Sequence, residues 1–257
     1  MHSLAYRETS VIAELFTREH GRISAIAKGA KRKGSALRSV LMPFQPLTVN
    51  VIGKTELRTL TSAEWQGGMP VPQGDALICG FYLNELLLKL LPKDDAHPLL
   101  FEAYWNALAG LAADFLPNQA DDLDTVLRQF EWSLLQETGY APDLRRDARN
   151  NPIELRGVYF WNPSSGLNLE VPNARSNDGV HTISGQAIVA LALLTDKADN
   201  PHLPCKPDPE QFIAAKKLLS LPSIKMQAKR LTRNLINHVL DGQKLNSRQI
   251  LIDLHKL

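Results

Sequence analysis

The sequence predicts an α+β protein of two domains, a small antiparallel β-barrel followed by a mainly helical region with a small β-hairpin insertion. Three observations predict it. Residues 1–64 alternate polar and apolar side chains with a period of two, between short turns marked by Gly or Pro. A Gly/Pro-rich stretch, 66–74 (QGGMPVPQG), ends that style. Beyond it the apolar residues recur with helical spacing, interrupted once by a strand-like hairpin near 143–182.

The expected strands are Thr9–Thr17, Gly21–Ala27, Leu47–Ile52 and Glu56–Ser62, with hairpin turns at Glu19-His20-Gly21 and Ile52-Gly53-Lys54. The domains run 1–65 for the barrel, 66–74 for the linker and 75–257 for the helical part. In the helical part, Asp75–Leu91 carries apolar residues around much of its circumference, as a buried central helix does, and Pro92 ends it. Pro98–Phe115 and Asp124–Thr138 follow. Gly139 closes the second of these, and Asp121, Asp122 and Asp124 suit its positive start. Val158–Asn162 and Leu167–Val171, joined by a Pro-Ser-Ser-Gly turn, form the hairpin. Helices return at Ser184–Thr195, Pro209–Leu221, Ile224–Leu240 and Ser247–Leu254, several with Ser, Thr or Asp caps.

A net charge of +2 hides an uneven distribution. Residues 1–64 hold 10 Lys/Arg against 5 Asp/Glu, and residues 205–257 hold 10 against 4, while 65–142 hold 3 against 11. The densest cationic stretch is Lys28 to Arg38 (KGAKRKGSALR), with Lys28, Lys31, Arg32, Lys33 and Arg38 and no acid. It lies between two strands, so it is a loop holding like charges together, the pattern of a polyanion contact. Gly29 and Gly34 let its backbone approach a ligand closely. With Arg22 these five cations are the candidate phosphate contacts. A solvated basic loop is the simpler alternative for any one of them.

Enzymatic motifs are absent: there is no G-x-S-x-G, H-E-x-x-H, P-loop or G-x-G-x-x-G. No catalytic residue is therefore assigned. Two cysteines, Cys79 and Cys205, are too few for a disulfide framework or a structural zinc site. Cys79 reads as a core residue, and His202 with Cys205 as a plain loop. Without a membrane-length apolar run or a signal pattern, the expected location is the cytoplasm, with no membrane partner.

Six stretches resemble the RecO family of bacterial recombination mediators: Glu8–Arg32, Met42–Leu47 (MPFQPL), Leu57–Glu64, Tyr82–Pro92, Arg128–Leu144 and Lys244–Leu251 (KLNSRQIL). They run in order over nearly the whole chain. The resemblance implies an N-terminal OB-fold, with either a shortened first strand or a misassigned start here, and a helical C-terminal domain. It further implies binding of single- and double-stranded DNA, strand annealing, and work with RecR to load RecA onto strands covered by SSB, without enzymatic activity. Some members hold zinc on four cysteines after the GY-x-P motif. The corresponding Asp143–Asn151 has none, so no cofactor is expected.

The amphipathic Met226–Leu240 reads either as a final packing helix with a solvated basic face or as a groove with Leu231 and Leu235 as floor and Lys229, Arg230 and Arg233 as rim, which the resemblance implies for the acidic SSB tail. Arg128, the one arginine in 65–142, either completes that site or pairs with a nearby acid. Two other classes compete with the mediator. An RNA-binding OB-fold protein fits the barrel and loop, because phosphate contacts do not distinguish the sugars. An OB-containing nuclease lacks the clustered metal-binding carboxylates it needs.

Overall fold

The computed structural model describes residues 1–112, 123–170, 182–195 and 209–254. The described chain falls into two compact units. Unit 1 is Met1–Leu123 with Lys244–Leu257, and unit 2 is Asp124–Gln243. This division differs from the change of style at 66–74, because helices on both sides of the chain return to pack in the first unit.

Unit 1 is built on five strands: β1 (His2–Tyr6), β2 (Ser10–Thr17), β3 (Gly21–Ala27), β4 (Leu47–Ile52) and β5 (Leu57–Trp65). They lie in the order β1-β2-β3-β5-β4, antiparallel except for the β3–β5 pair. The expected OB-fold is present, but its barrel is open. Among the described residues β1 and β4 are free edges, and β1 is five residues long against eight in β2. Residues near both edges, Ser3 and Leu47 among them, line an apolar pocket of about 290 Å³ that Phe101, Tyr104 and Trp105 also line.

The inner face of the sheet is small and apolar. Ala25, Ala27, Ala30 and Leu60 are buried there, with Val11, Leu15, Val49 and Val51 around them. A five-residue helix, α1 (Ala36–Val40), follows the cationic loop, and Leu37 and Leu41 pack against this cluster. Alternation along β3 predicts that Ser24 faces water. It is buried instead, and its hydroxyl donates to Glu14 Oε1 at 2.5 Å. Residues 88–95 run alongside β3 ahead of β5: Lys93 forms a parallel bridge with Arg22, Asp94 N donates to Arg22 O, the Arg22 side chain donates to the Leu88 carbonyl, and Arg58 pairs with Asp94.

Helices α2 (Gly74–Leu90) and α3 (Pro98–Ala112) complete the unit with α8 (Asn246–Leu254). The α2 helix buries a wide face rather than its whole circumference. Leu83, Leu86 and Leu87 are inaccessible, whereas Phe81 is 41% exposed and meets Phe44 edge-on. The last expected helix turns back onto α2 through one carboxylate. Glu85 Oε1 accepts from Asn246 N (2.9 Å), and Oε2 accepts from Ser247 N (2.9 Å) and Ser247 Oγ (2.6 Å). Two orphan N–H groups of α8 are thus capped from another helix.

Burial opposes ionisation of Glu85, but the Ser247 and Asn246 donors and nearby Lys89 outweigh it and hold its carboxyl below the usual range. A depressed acid stabilises above its ordinary pKa and loses that contribution as pH falls through the lower native value. Acidification should therefore release α8 first. Amide exchange of residues 246–254 should accelerate ahead of the α2 core, and Glu85→Gln should show the same loss at neutral pH.

Unit 2 contains α4 (Leu123–Glu137), α5 (Gly185–Thr195), α6 (Pro209–Leu219) and α7 (Pro222–Val239), with strands β6 (Val158–Asn162), β7 (Gly166–Leu169) and β8 (Thr182–Ser184). The hairpin is the centre of a three-stranded sheet in the order β7-β6-β8. Sequence alternation missed β8, which is three residues long. Ser184, expected to start a helix, both ends β8 and caps α5: its Oγ accepts from Ala187 N at 3.3 Å, and its N–H donates to Gln227 Oε1 of α7 at 2.7 Å. Tyr159 is buried, and its hydroxyl accepts from Glu154 N at 2.8 Å, while Trp161 meets His238 edge-on. Asp121, Asp122, His202, Cys205, the end of the predicted Pro98–Phe115 helix and Val171 lie outside the described residues. Cys79 is buried and forms no disulfide. No helix among the described residues is long and apolar enough to cross a membrane.

Candidate nucleic-acid interface

The cationic loop is fixed at both ends by apolar side chains. Ala30 sits in the inner-face cluster and Leu37 packs against it. Between them the backbone is folded by hydrogen bonds from Arg32 N to Gly29 O (3.0 Å) and Ser35 N to Arg32 O (3.1 Å), with Gly29 and Gly34 at φ +70° and +81°. Lys31 N also donates to Thr9 O (2.9 Å), tying the loop to the β1–β2 turn. With its apolar residues turned in, the loop can only send its charges out. Lys28, Lys31, Arg32, Lys33 and Arg38 are all exposed.

Arg22 does not belong to this set. It leans across the outer face of the sheet, donates to the Leu88 carbonyl and lies 3.9 Å from Glu14 Oε2, with its side chain only 15% exposed. Its position in an alternating strand suggested solvent, and the residues 88–95 that engage it are distant in sequence. Arg7 was missed. It is exposed in the β1–β2 turn, beside the Thr9 carbonyl that holds the loop, in a left-handed conformation at φ +53° and over the Tyr6 ring. Its signal was weak, a single cation before a strand. Trp65, 60% exposed at the end of β5, is the aromatic the sequence reading passed over, and its Nε1 donates to Gln45 at 2.7 Å. Phe44 is core, and Phe16 is half-buried against Phe101 and Tyr104.

In unit 2 the residues named for a peptide groove separate into two layers. Leu231 and Leu235 are fully buried and form no accessible floor. Arg128 is buried too: its Nη2 donates to Glu131 Oε1 at 2.6 Å, and its Nη1 to Thr232 Oγ1 at 3.2 Å and to the Lys229 carbonyl at 3.4 Å. The amphipathic stripe of α7 is thus spent on the core, which leaves Arg230 half-buried and Arg233 exposed. Lys229 and Lys225 both reach Asp124, at 2.8 and 3.3 Å. Burial opposes ionisation of Asp124, but Lys229, Lys225 and Arg128 overcome it and hold the carboxyl below its ordinary range.

The segment that would carry a zinc site does not fit one. It offers no Cys or His, and the buried Asp147 carboxylate is taken by three donors: Arg149 N (2.9 Å), Asn151 N (2.8 Å) and Asn151 Nδ2 (3.2 Å). Among the described residues no group of three or more metal-ligating side chains comes together.

The chain is similar to known proteins over its whole length. Residues 1–69 match the family model "Recombination protein O N terminal" and residues 72–249 match "Recombination protein O C terminal". The models meet at the 66–74 change of style rather than at the boundary of the compact units. A DNA repair protein RecO of Polynucleobacter necessarius is 42% identical, with all of this chain and 95% of that protein aligned. Those of Burkholderia pseudomallei and Azoarcus sp. are 44% and 42% identical, again over all of this chain, and over 82% and 94% of those proteins. With both halves matched in order, on an open OB-fold sheet bearing a fixed cationic loop, this chain belongs to the recombination protein O family.

Proposed function

We propose that the chain is a non-enzymatic DNA repair and recombination mediator. It binds single- and double-stranded DNA through Lys28, Lys31, Arg32, Lys33 and Arg38, anneals complementary strands, and acts with RecR to help load RecA onto SSB-covered DNA in the cytoplasm. The observation that carries this reading is the loop, with five exposed cations projected from apolar anchors on an OB-fold sheet, in a chain matched throughout to recombination protein O.

Binding through phosphates is salt-dependent and blind to sequence. Changing Lys31, Arg32 and Lys33 to Ala should flatten the slope of log K against log salt by about 2 on single strands, at roughly 0.7 per phosphate contact. All sequences should weaken alike. Fluorescence anisotropy over a salt series reads this, and an unchanged slope would take the loop out of the interface. Annealing assays with and without SSB, and RNA competitors, separate the mediator from a general RNA binder.

For the SSB tail, the contacts are assigned to the outer cations Lys229, Arg230 and Arg233. Arg128, Leu231 and Leu235 support α7 from behind. Zinc is not required, since Asp147 closes the loop that metal would otherwise organise. Elemental analysis of chelator-treated, annealing-competent protein should find no stoichiometric metal.

A further inference from the structure

The insertion between α4 and β6 carries four arginines, Arg145, Arg146, Arg149 and Arg156, and no lysine. All four are exposed. They sit on a tight, internally bonded loop. Asp147 N donates to Asn151 O (2.8 Å), Ile153 N to Arg145 O (3.0 Å), and Ala148 N ties the tip to Leu167 O of β7 (2.6 Å). The acid at the centre, Asp147, is turned inward and satisfied by backbone and Asn151 donors. Asp143 and Glu154 remain outside, and Asp143 accepts from Arg145 N at 2.7 Å.

An ordinary solvated surface mixes lysine with arginine and has no need of a rigid base. Here every cation is a guanidinium, whose planar fork matches two phosphate oxygens at once. The loop beneath is stiffened by the inward carboxylate, so less freedom is lost when a strand docks. We infer that this loop is a second contact for a DNA phosphate backbone, carried by unit 2 and separate from the Lys28–Arg38 loop. It rests on the reading of the chain as a DNA binder. Two such surfaces on different units would let one molecule hold two strands, or one strand over a longer footprint.

The test uses the full chain and single-stranded oligonucleotides over a salt series. Arg149 and Arg156 are chosen because no hydrogen bond from their side chains holds the loop together, in contrast to Arg146, whose Nη1 donates to Asn150 O. Arg149→Ala with Arg156→Ala should lower the salt slope by about 1.4, at roughly 0.7 per phosphate, both in the native background and in the Lys31/Arg32/Lys33→Ala background. Arg149→Lys with Arg156→Lys should restore most of the slope, which a merely structural role would not predict. If the alanine pair leaves the slope unchanged while the triple change lowers it, the second surface is overturned and the first stands. If neither set changes the slope, the cationic-loop reading falls, and this inference with it.

Discussion

Replacing Arg128 with methionine should destabilise unit 2 by about 3–5 kcal/mol, the usual cost of removing one partner from a buried ion pair. The Arg128 and Glu131 side chains are 8% and 2% exposed and meet at 2.6 Å. Water cannot replace the guanidinium there, so the carboxylate would have to protonate or the helices separate. Removing both charges is a different matter. Arg128→Met with Glu131→Leu should recover most of the loss, because well-packed apolar residues often replace a buried pair at little cost. Amide exchange of α4 and α7 in the full chain measures the effect where it occurs. A loss under about 1 kcal/mol in the single variant, the value of an exposed pair, would mean that Arg128 faces solvent and is free to meet a peptide. A defect in annealing SSB-covered strands at Arg128 therefore needs the double variant before it is read as lost peptide contact.

This residue shows where sequence reading stopped. That Arg128 and Glu131 lie three apart on a helix is legible, and so is a pairing between them. Their burial is not, because it depends on α7, a hundred residues later, laying Thr232 and the Lys229 carbonyl against the same guanidinium. The apolar stripe of Met226–Leu240 was read correctly as a stripe, but a helix has one such face, and Leu231 and Leu235 use it for the core. Strands β3 and β4 agree with their expected bounds, since each alternates cleanly between turn residues. The short strand β8 and the cap that Glu85 supplies to α8 both depend on partners far away in sequence. Local pattern carries no trace of them. The cationic loop was legible for the opposite reason: an acid-free run keeps its character whatever packs beneath it.

Gly21→Ala is the second large expected effect, about 2–5 kcal/mol in unit 1, combining an alanine forced into the left-handed region with overpacking. The sequence marks Gly21 as a turn glycine, and the structure places it at φ +61° at the start of β3, paired with Thr17. The turn around it is closed by Thr17, whose Oγ1 donates to Gly21 O at 3.0 Å and accepts from His20 N at 3.1 Å. A second constraint comes from elsewhere. A β-carbon at Gly21 would lie 1.6 Å from the Asp95 carbonyl oxygen, and backbone cannot swing aside as a long side chain would. Either the turn opens or the 88–95 segment parts from the start of β3, and with it go the Lys93 bridge and the Arg22–Leu88 and Arg58–Asp94 contacts. Urea unfolding of the full chain should show the first transition displaced to lower concentration. Amide exchange of β2 and β3 should accelerate, while that of α4 and α7 should hold. Because the cationic loop continues directly from β3, DNA affinity should fall together with the folded fraction of unit 1 and recover on cooling. Wild-type protection of β2 and β3 in the Gly21→Ala variant would mean that the contact with Asp95 is loose enough to yield, and that the 88–95 segment is not fixed against β3.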